Sequence, residues 1–270
     1  MRIGATLSPA LMSLLDRNLI DVDYIEVNGE LAVDVLQAAL ALRPVLLHDI
    51  SYRFWLNYED PFDAATMDKA RAMINLAQPP WHSTGIGASA EPQQHTTEYW
   101  RGAPAEALQP RHRCLANIVR NAGILEAWLG IPLLLENYNY HPTNAYEYVC
   151  DPATFSQLME EIDCGMLLDL AHAQISAFNM GWTDVHTYLG ALPLARVREI
   201  HINHPFNDGG RQMLDRHLPI GEADVALLEW TLARTPLAEA VTLESHLPDE
   251  DALRREVSLL REVFAANAER

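Results

Sequence analysis

The sequence predicts an α/β fold, a (β/α)8 TIM barrel, on three observations. Eight short apolar runs alternate with segments of helical period along the chain. The clearest of these runs are continuous rather than alternating, as strands buried on both faces of a parallel sheet should be. No G-x-G-x-x-G follows the first run, so an open dinucleotide-binding sheet lacks its usual signal.

In chain order, the strand candidates are Arg2–Thr6, Asp23–Val27, Pro44–His48, a less regular stretch within Trp81–Ser89, Ile131–Glu136, Gly165–Asp169, Val197–Ile202 and Ala240–Ser245. Helical period falls on Leu31–Leu42, Asp63–Ala77, Arg111–Gly130, Asp151–Ile162, Asp224–Thr235 and Asp249–Ala266. Gly130 supplies a stop signal, and Asp151-Pro152 reads as a cap followed by a first-turn proline. The polar, Pro-containing stretch 89–110 reads as a long loop, a lid above the barrel mouth. No repeat or linker divides the 270 residues, so one domain is expected.

Functional residues of such barrels sit at the C-terminal ends of the strands. Here those ends carry ionisable groups. "PVLLH" ends at His48, the fourth-strand region offers His82, "PLLLE" ends at Glu136, and "MLLD" ends at Asp169 with His172 three residues on. "REIH" ends at His201, the next loop holds Asp215 and His217 in "LDRH", and "VTLE" ends at Glu244. Taken singly, each has an ordinary structural role open to it: a hydrogen-bonded core histidine, an Arg-paired glutamate, a capping aspartate. Taken jointly, carboxylates gathered on one rim are costly unless neutralised. Imidazole plus carboxylate without thiolate suits zinc, iron or manganese. Nine ligands exceed one ion's needs and fit two or three ions sharing carboxylates. Asn137 and His204 stand beside the ligands as candidates to support them or the substrate. Tyr52, Phe54, Trp55, Tyr138 and Tyr140 would make the mouth aromatic. His95, His112, His141, His186 and His246 fall in loops or helices and are read as incidental.

Composition narrows the function classes. The net charge is −18 and Lys69 is the only lysine, which argues against a nucleic-acid partner. No run reaches the roughly 18–20 apolar residues of a membrane span. The N-terminus lacks signal-peptide character, and a cytoplasmic protein is expected. Cys114, Cys150 and Cys164 are odd in number and widely spaced, which argues against a disulfide framework or zinc knuckle, and Cys164 is expected in the core.

The ligand order His, His, Glu, D-x-x-H, His, D-x-H, Glu resembles that of the xylose-isomerase-like TIM-barrel superfamily, with "DRHLPIGEAD" similar to a segment of endonuclease IV. "VDYIEVNGE", "PVLLHDIS", "GIPLLLENYNY", "DPATFSQLMEEIDCGMLLDLAHAQISAFNMG", "YLGALPLARVREIHI" and "LDRH" more closely resemble the DUF692 family, the multinuclear non-heme iron-dependent oxidative enzymes (MNIOs). That resemblance implies a barrel holding two or three irons, Fe(II)/Fe(III), and O2-dependent oxidation. It also implies a peptide substrate made on the ribosome, often modified at Cys, or a small thiol-like one, with a partner protein that delivers the peptide. The chain departs from the usual pattern at three places. "DLAH" puts His172 where the family commonly has Asn, "HDIS" replaces H-G-V-S, and "EIHINHP" shifts a histidine. A zinc-dependent hydrolase of the endonuclease IV type, a sugar isomerase or epimerase, and a metal-holding scaffold remain the alternatives.

Overall fold

The computed structural model describes residues 1–50, 55–90, 107–244 and 249–268. Eight strands run parallel: β1 (Arg2–Thr6), β2 (Tyr24–Asn28), β3 (Val45–His48), β4 (His82–Gly85), β5 (Leu133–Glu136), β6 (Gly165–Asp169), β7 (Val197–Ile202) and β10 (Ala240–Leu243). They close a barrel in the order β1-β10-β7-β6-β5-β4-β3-β2. Two further strands, β8 (His204–Asn207) and β9 (Met213–Leu218), form an antiparallel hairpin outside the barrel.

The helices are α1 (Pro9–Asp16), α2 (Val33–Leu42), α3 (Ala64–Ala77), α4 (Arg111–Leu129), α5 (Pro152–Ile162), α6 (Leu170–Asn179), α7 (Val185–Gly190), α8 (Glu222–Leu232) and α9 (Glu250–Ala268). The six expected helices form close to their expected bounds. The Asp151 carboxylate accepts from Thr154 N at 2.9 Å, and Gly130 ends α4 with φ 72°. Three more helices form that the periodicity did not assign. For α1 the signal was the "SP" start: Ser8 Oγ accepts from Leu11 N at 3.1 Å and Pro9 takes the first turn.

Alternation along the strands sorts the side chains. Tyr24, Leu46, Trp81, Leu134, Leu167 and Ala240 meet inside the barrel and close its lower end. Gly4 makes room for this plug, because a Cβ there would lie 2.2 Å from the Tyr24 ring. The opposite faces, with Ile3, Ile25, Leu47, Leu133, Leu168 and Ile200, pack against the helices as the main core. Such burial contributes about 25 cal/mol per Å² of apolar surface and is the principal driving term of the fold. All three cysteines are free and buried in the described structure, and burial pushes the Cys114 and Cys164 thiols up to about 12. They are core residues.

No helix among the described residues is long and apolar enough to cross a membrane. Of the stretch 89–110 expected as a lid, residues 91–106 lie outside the described residues. Its two ends run side by side, with an isolated bridge between Ala90 and Leu108.

Candidate metal centre

The strand ends bring eight of the nine expected ligands together. His48 closes β3, Glu136 closes β5, Asp169 closes β6, His201 lies near the end of β7, and Glu244 directly follows β10. The remaining three come from added elements. Asp169 is both the end of β6 and the N-cap of α6, its Oδ1 accepting from His172 N at 2.6 Å. This cap starts the helix with no intervening loop and carries His172 back over the mouth. The β8–β9 hairpin brings Asp215 and His217 in from the other side. Asn179 pins it, with its amide donating to Tyr140 O at 2.8 Å and to Met213 O at 3.0 Å.

Three sets of ligand atoms each lie within 4.8 Å of one another: His48, Asp49 and Glu136; Glu136, Asp169 and His172; Asp169, His201 and Glu244. Glu136 and Asp169 each belong to two sets, so each could serve as a ligand in either. Asp215 Oδ2 completes the ring at 3.2 Å from both His172 Nε2 and His217 Nε2, and His217 Nδ1 lies 3.6 Å from Glu244 Oε2. His48 Nε2 lies 3.5 Å from Glu136 Oε2 and 3.6 Å from Asp49 Oδ2.

Electrostatics show the strain of this gathering. Burial pushes the Asp169 carboxyl up to about 7, despite His172 beside it. Burial also acts on Asp215 and Glu244. There the hydrogen bonds and charge of His172 and His217 at Asp215, and the charge of His201 and then of His217 at Glu244, win and hold both well below the carboxylate range. Burial works against imidazolium at His172 and His201. Asp169 and Glu136 in one case, Glu26 and Glu244 in the other, override it and raise both well above the ordinary value. His217 rises to about 9 against its burial, chiefly through its hydrogen bond to Asp215. Protons here occupy places that cations would take.

The donor set fits cations on a second observation. Asp169 Oδ2, His201 Nδ1 and Asp215 Oδ1 are buried and make no hydrogen bond among the described residues. Each belongs to the ring. Leaving three such atoms unsatisfied costs about 1–3 kcal/mol apiece, a cost that metal coordination removes. The supporting contacts are in place: Ser83 Oγ is 3.0 Å from His48 Nδ1, and Asn137 O is 2.9 Å from His172 Nδ1. Asn137 also ties β5 to β6, accepting from Asp169 N at 2.9 Å and donating to Asp169 O at 3.0 Å.

His82 is not brought to this ring. It opens β4 instead of closing it, and in register it lies beside Leu47 and Leu133, whose side chains face the helices. Its Nδ1 is 2.9 Å from Leu47 O, and burial lowers it to about 3, so it is a neutral core imidazole. The inward positions of β4 are Ser83 and Gly85. A Cβ on Gly85 would lie 2.5 Å from the Tyr138 hydroxyl, so Tyr138 fills that part of the mouth. His204 also turns away, its Nδ1 3.0 Å from Asp224 Oδ2 at the start of α8. Of the mouth aromatics, Tyr52 and Phe54 lie outside the described residues. Trp55 stacks on Tyr58 at 5.8 Å, and Tyr140 packs against the core with its hydroxyl 3.5 Å from the Glu147 carboxylate.

Sequence reasoning missed Asp49, Glu26 and Glu199. Asp49 follows His48 with φ 42°, and its Oδ1 accepts from Thr84 Oγ1 at 2.5 Å and Gly85 N at 3.2 Å. Glu26 and Glu199 are fully buried inside the barrel below His201. Their signal was a carboxylate in mid-strand, in "DYIEV" and "VREIHI", on the inward phase.

Fold and site together define a closed (β/α)8 barrel with clustered carboxylates and imidazoles at its mouth that could hold metal ions. The chain belongs to the family described as RiPP precursor modification enzyme MbnB/TglH/ChrH, whose model matches residues 2–265; RiPPs are ribosomally made, post-translationally modified peptides. A UPF0276 protein of Caulobacter vibrioides is 28% identical over 96% of this chain and 92% of its own length. Among solved structures, a D-tagatose 3-epimerase-like protein superposes with a TM-score of 0.68 at 15% identity, covering 100% of this chain and 99% of its own. Endonuclease IV from Thermus thermophilus gives 0.62 at 16%, covering 98% of this chain and all of its own. These two likenesses show the fold.

Proposed function

We propose that this chain is a multinuclear iron-dependent oxidative enzyme that uses O2 to modify a ribosomally made peptide at a thiol-bearing residue, with a partner protein presenting the peptide. The observation that carries this reading is the ring itself. Its two shared carboxylates and its three buried atoms without hydrogen bonds support a reading of two or three adjacent cations.

His48, Glu136, Asp169, His172, His201, Asp215, His217 and Glu244 are the proposed ligands. Bound iron supplies an acceptor for the substrate's thiolate and electrons for O2. The chain's own residues do the rest. Ser83 holds His48 through Nδ1, so that it presents Nε2; His172 lies with Nδ1 beside Asn137 O and 3.2 Å from Glu136 Oε1, and with Nε2 towards Asp215. Burial of six of the eight ring residues limits the access of bulk water, and Tyr138 covers one side. Asp169, His172, His201 and His217 release their protons when cations arrive, so loading is favoured by alkaline pH. Membership of a peptide-modifying family supports the peptide substrate.

A second reading, a zinc-dependent phosphoester hydrolase, is favoured by one observation, the imidazole of His172 inside the ring. The net charge of −18 opposes DNA as its substrate. The two part in one experiment. The iron-loaded protein is incubated under air with a Cys-containing candidate precursor peptide, and the peptide is followed by mass spectrometry. An oxidative mass change that requires O2, and that Glu136→Gln reduces at least about tenfold, is expected. An unchanged peptide, together with phosphoester cleavage by the zinc-loaded protein, contradicts it.

A further inference from the structure

We infer that Glu26 is a positioning residue of the metal centre: its carboxylate accepts the hydrogen bond of the His201 Nε2–H and thereby fixes that imidazole to present Nδ1 to a cation. The inference rests on the metal-centre reading of the rim.

Glu26 lies in the middle of β2, in register with Leu46 of the barrel interior, and is fully buried. Its Oε2 is 2.7 Å from His201 Nε2, a short charge-assisted contact. The other ring nitrogen, Nδ1, faces the rim 3.4 Å from Glu244 Oε1 and makes no hydrogen bond. An imidazole that coordinates a cation through one nitrogen needs an acceptor for the N–H on the other, and that acceptor sets its tautomer and ring angle. Glu26 is placed to be that acceptor.

The rest of the interior network leaves Glu26 to this task. Tyr24 Oη lies 2.7 Å from Thr242 Oγ1, and Thr242 has one hydroxyl proton to give. Its nearer acceptor is Glu199 Oε1 at 2.9 Å, with Glu26 Oε2 at 3.3 Å. Trp81 Nε1 donates to Glu199 Oε2 at 2.7 Å. Glu199 thus has a donor on each oxygen. Glu26 has His201 on Oε2, and its Oε1 makes no hydrogen bond among the described residues. Glu26, Glu199 and His201 are close enough to hold an ion of their own. The donors aimed at both oxygens of Glu199 oppose that use. A buried carboxylate is costly without a charged partner, and here the partner is a proposed ligand.

The test strips the purified protein of metal and titrates it with Co(II), following visible absorbance, and with Zn(II), following 15N shifts of labelled histidine. Wild type is compared with Glu26→Gln, which keeps the shape, and Glu26→Leu. We expect the affinity of one ion to fall about 10-fold in Glu26→Gln and more in Glu26→Leu, within the roughly 10–100-fold range of such supporting contacts. In the Zn(II)-loaded wild type, His201 should be protonated at Nε2 and bound through Nδ1. Affinities in Glu26→Gln equal to wild type, or coordination through Nε2, overturn the inference while leaving the metal centre standing. A wild-type protein that binds neither ion removes the metal-centre reading, and the inference with it.

Discussion

Asp169 does two jobs with two oxygens. Oδ1 caps α6 and Oδ2 faces the ring without a hydrogen bond. Asn is as good an N-cap as Asp but carries no charge. Asp169→Asn should therefore keep the metal-free fold, with a melting temperature at pH 8 no lower than wild type, while the bound metal drops by at least one ion. A lower melting temperature with metal content intact would make Asp169 a cap and nothing more. His82 makes the opposite case. Its folded pKa is lowered to about 3 from the ordinary 6.5, so the unfolded chain takes the proton first. The stability that depends on its neutrality is complete above pH 6.5 and is lost as pH falls towards 3. His82→Asn should leave metal content unchanged. It should also flatten the pH dependence of stability in urea by about 1.4 kcal/mol per unit between about pH 6 and 4. Loss of metal in this variant would return His82 to the ligand list.

At the scale of elements, the strand ends were legible and the pieces added to the barrel were not. Apolar runs that stop at a carboxylate or imidazole marked β3, β5, β6, β7 and β10 correctly. In β4 only four residues pair, and "HSTG" alternates polar side chains, so the run could not show which face was inward. That is why the sequence pattern alone puts His82 at the rim. The capping role of Asp169 hid α6, because a strand end and a helix start share one residue. The β8–β9 hairpin was hidden by its half-buried strands, which have no apolar period to read. Glu26 and Glu199 were visible as mid-strand carboxylates. Their partners Trp81 and Thr242 lie far away in sequence, so only the closed barrel joins them. The fit of β4 against the loop after β5 is testable. Gly85→Ala places a Cβ against Tyr138 and should cost about 1–3 kcal/mol in urea unfolding. In a Tyr138→Leu background the same change should cost less, by a double-mutant cycle. Equal cost in both backgrounds would mean that Tyr138 does not occupy the space beside Gly85.

At the scale of the whole molecule, the barrel concentrates negative charge where the fold needs it least. An apolar plug, a layer of Glu26, Thr242 and Glu199, and a rim of four carboxylates and four imidazoles follow one another up the interior. Cations bound to the folded rim and not to the unfolded chain stabilise it by mass action, about 2.7 kcal/mol per ion at about a hundred times Kd. For a chain of this size that is a shift of about 5–10 °C per ion. Removal of metal by a chelator should lower Tm by at least that much, and re-addition should restore it. An unchanged Tm would mean that the rim is stable as a hydrogen-bonded network alone.

The most direct measurement is the metal content of the protein purified without added metal and supplied with 57Fe during growth, read by elemental analysis and Mössbauer spectroscopy. Two or three irons per chain are predicted, in magnetically coupled, oxygen- and nitrogen-ligated sites. Two or three zincs with no iron, or less than one metal per chain, would contradict the iron-centre reading.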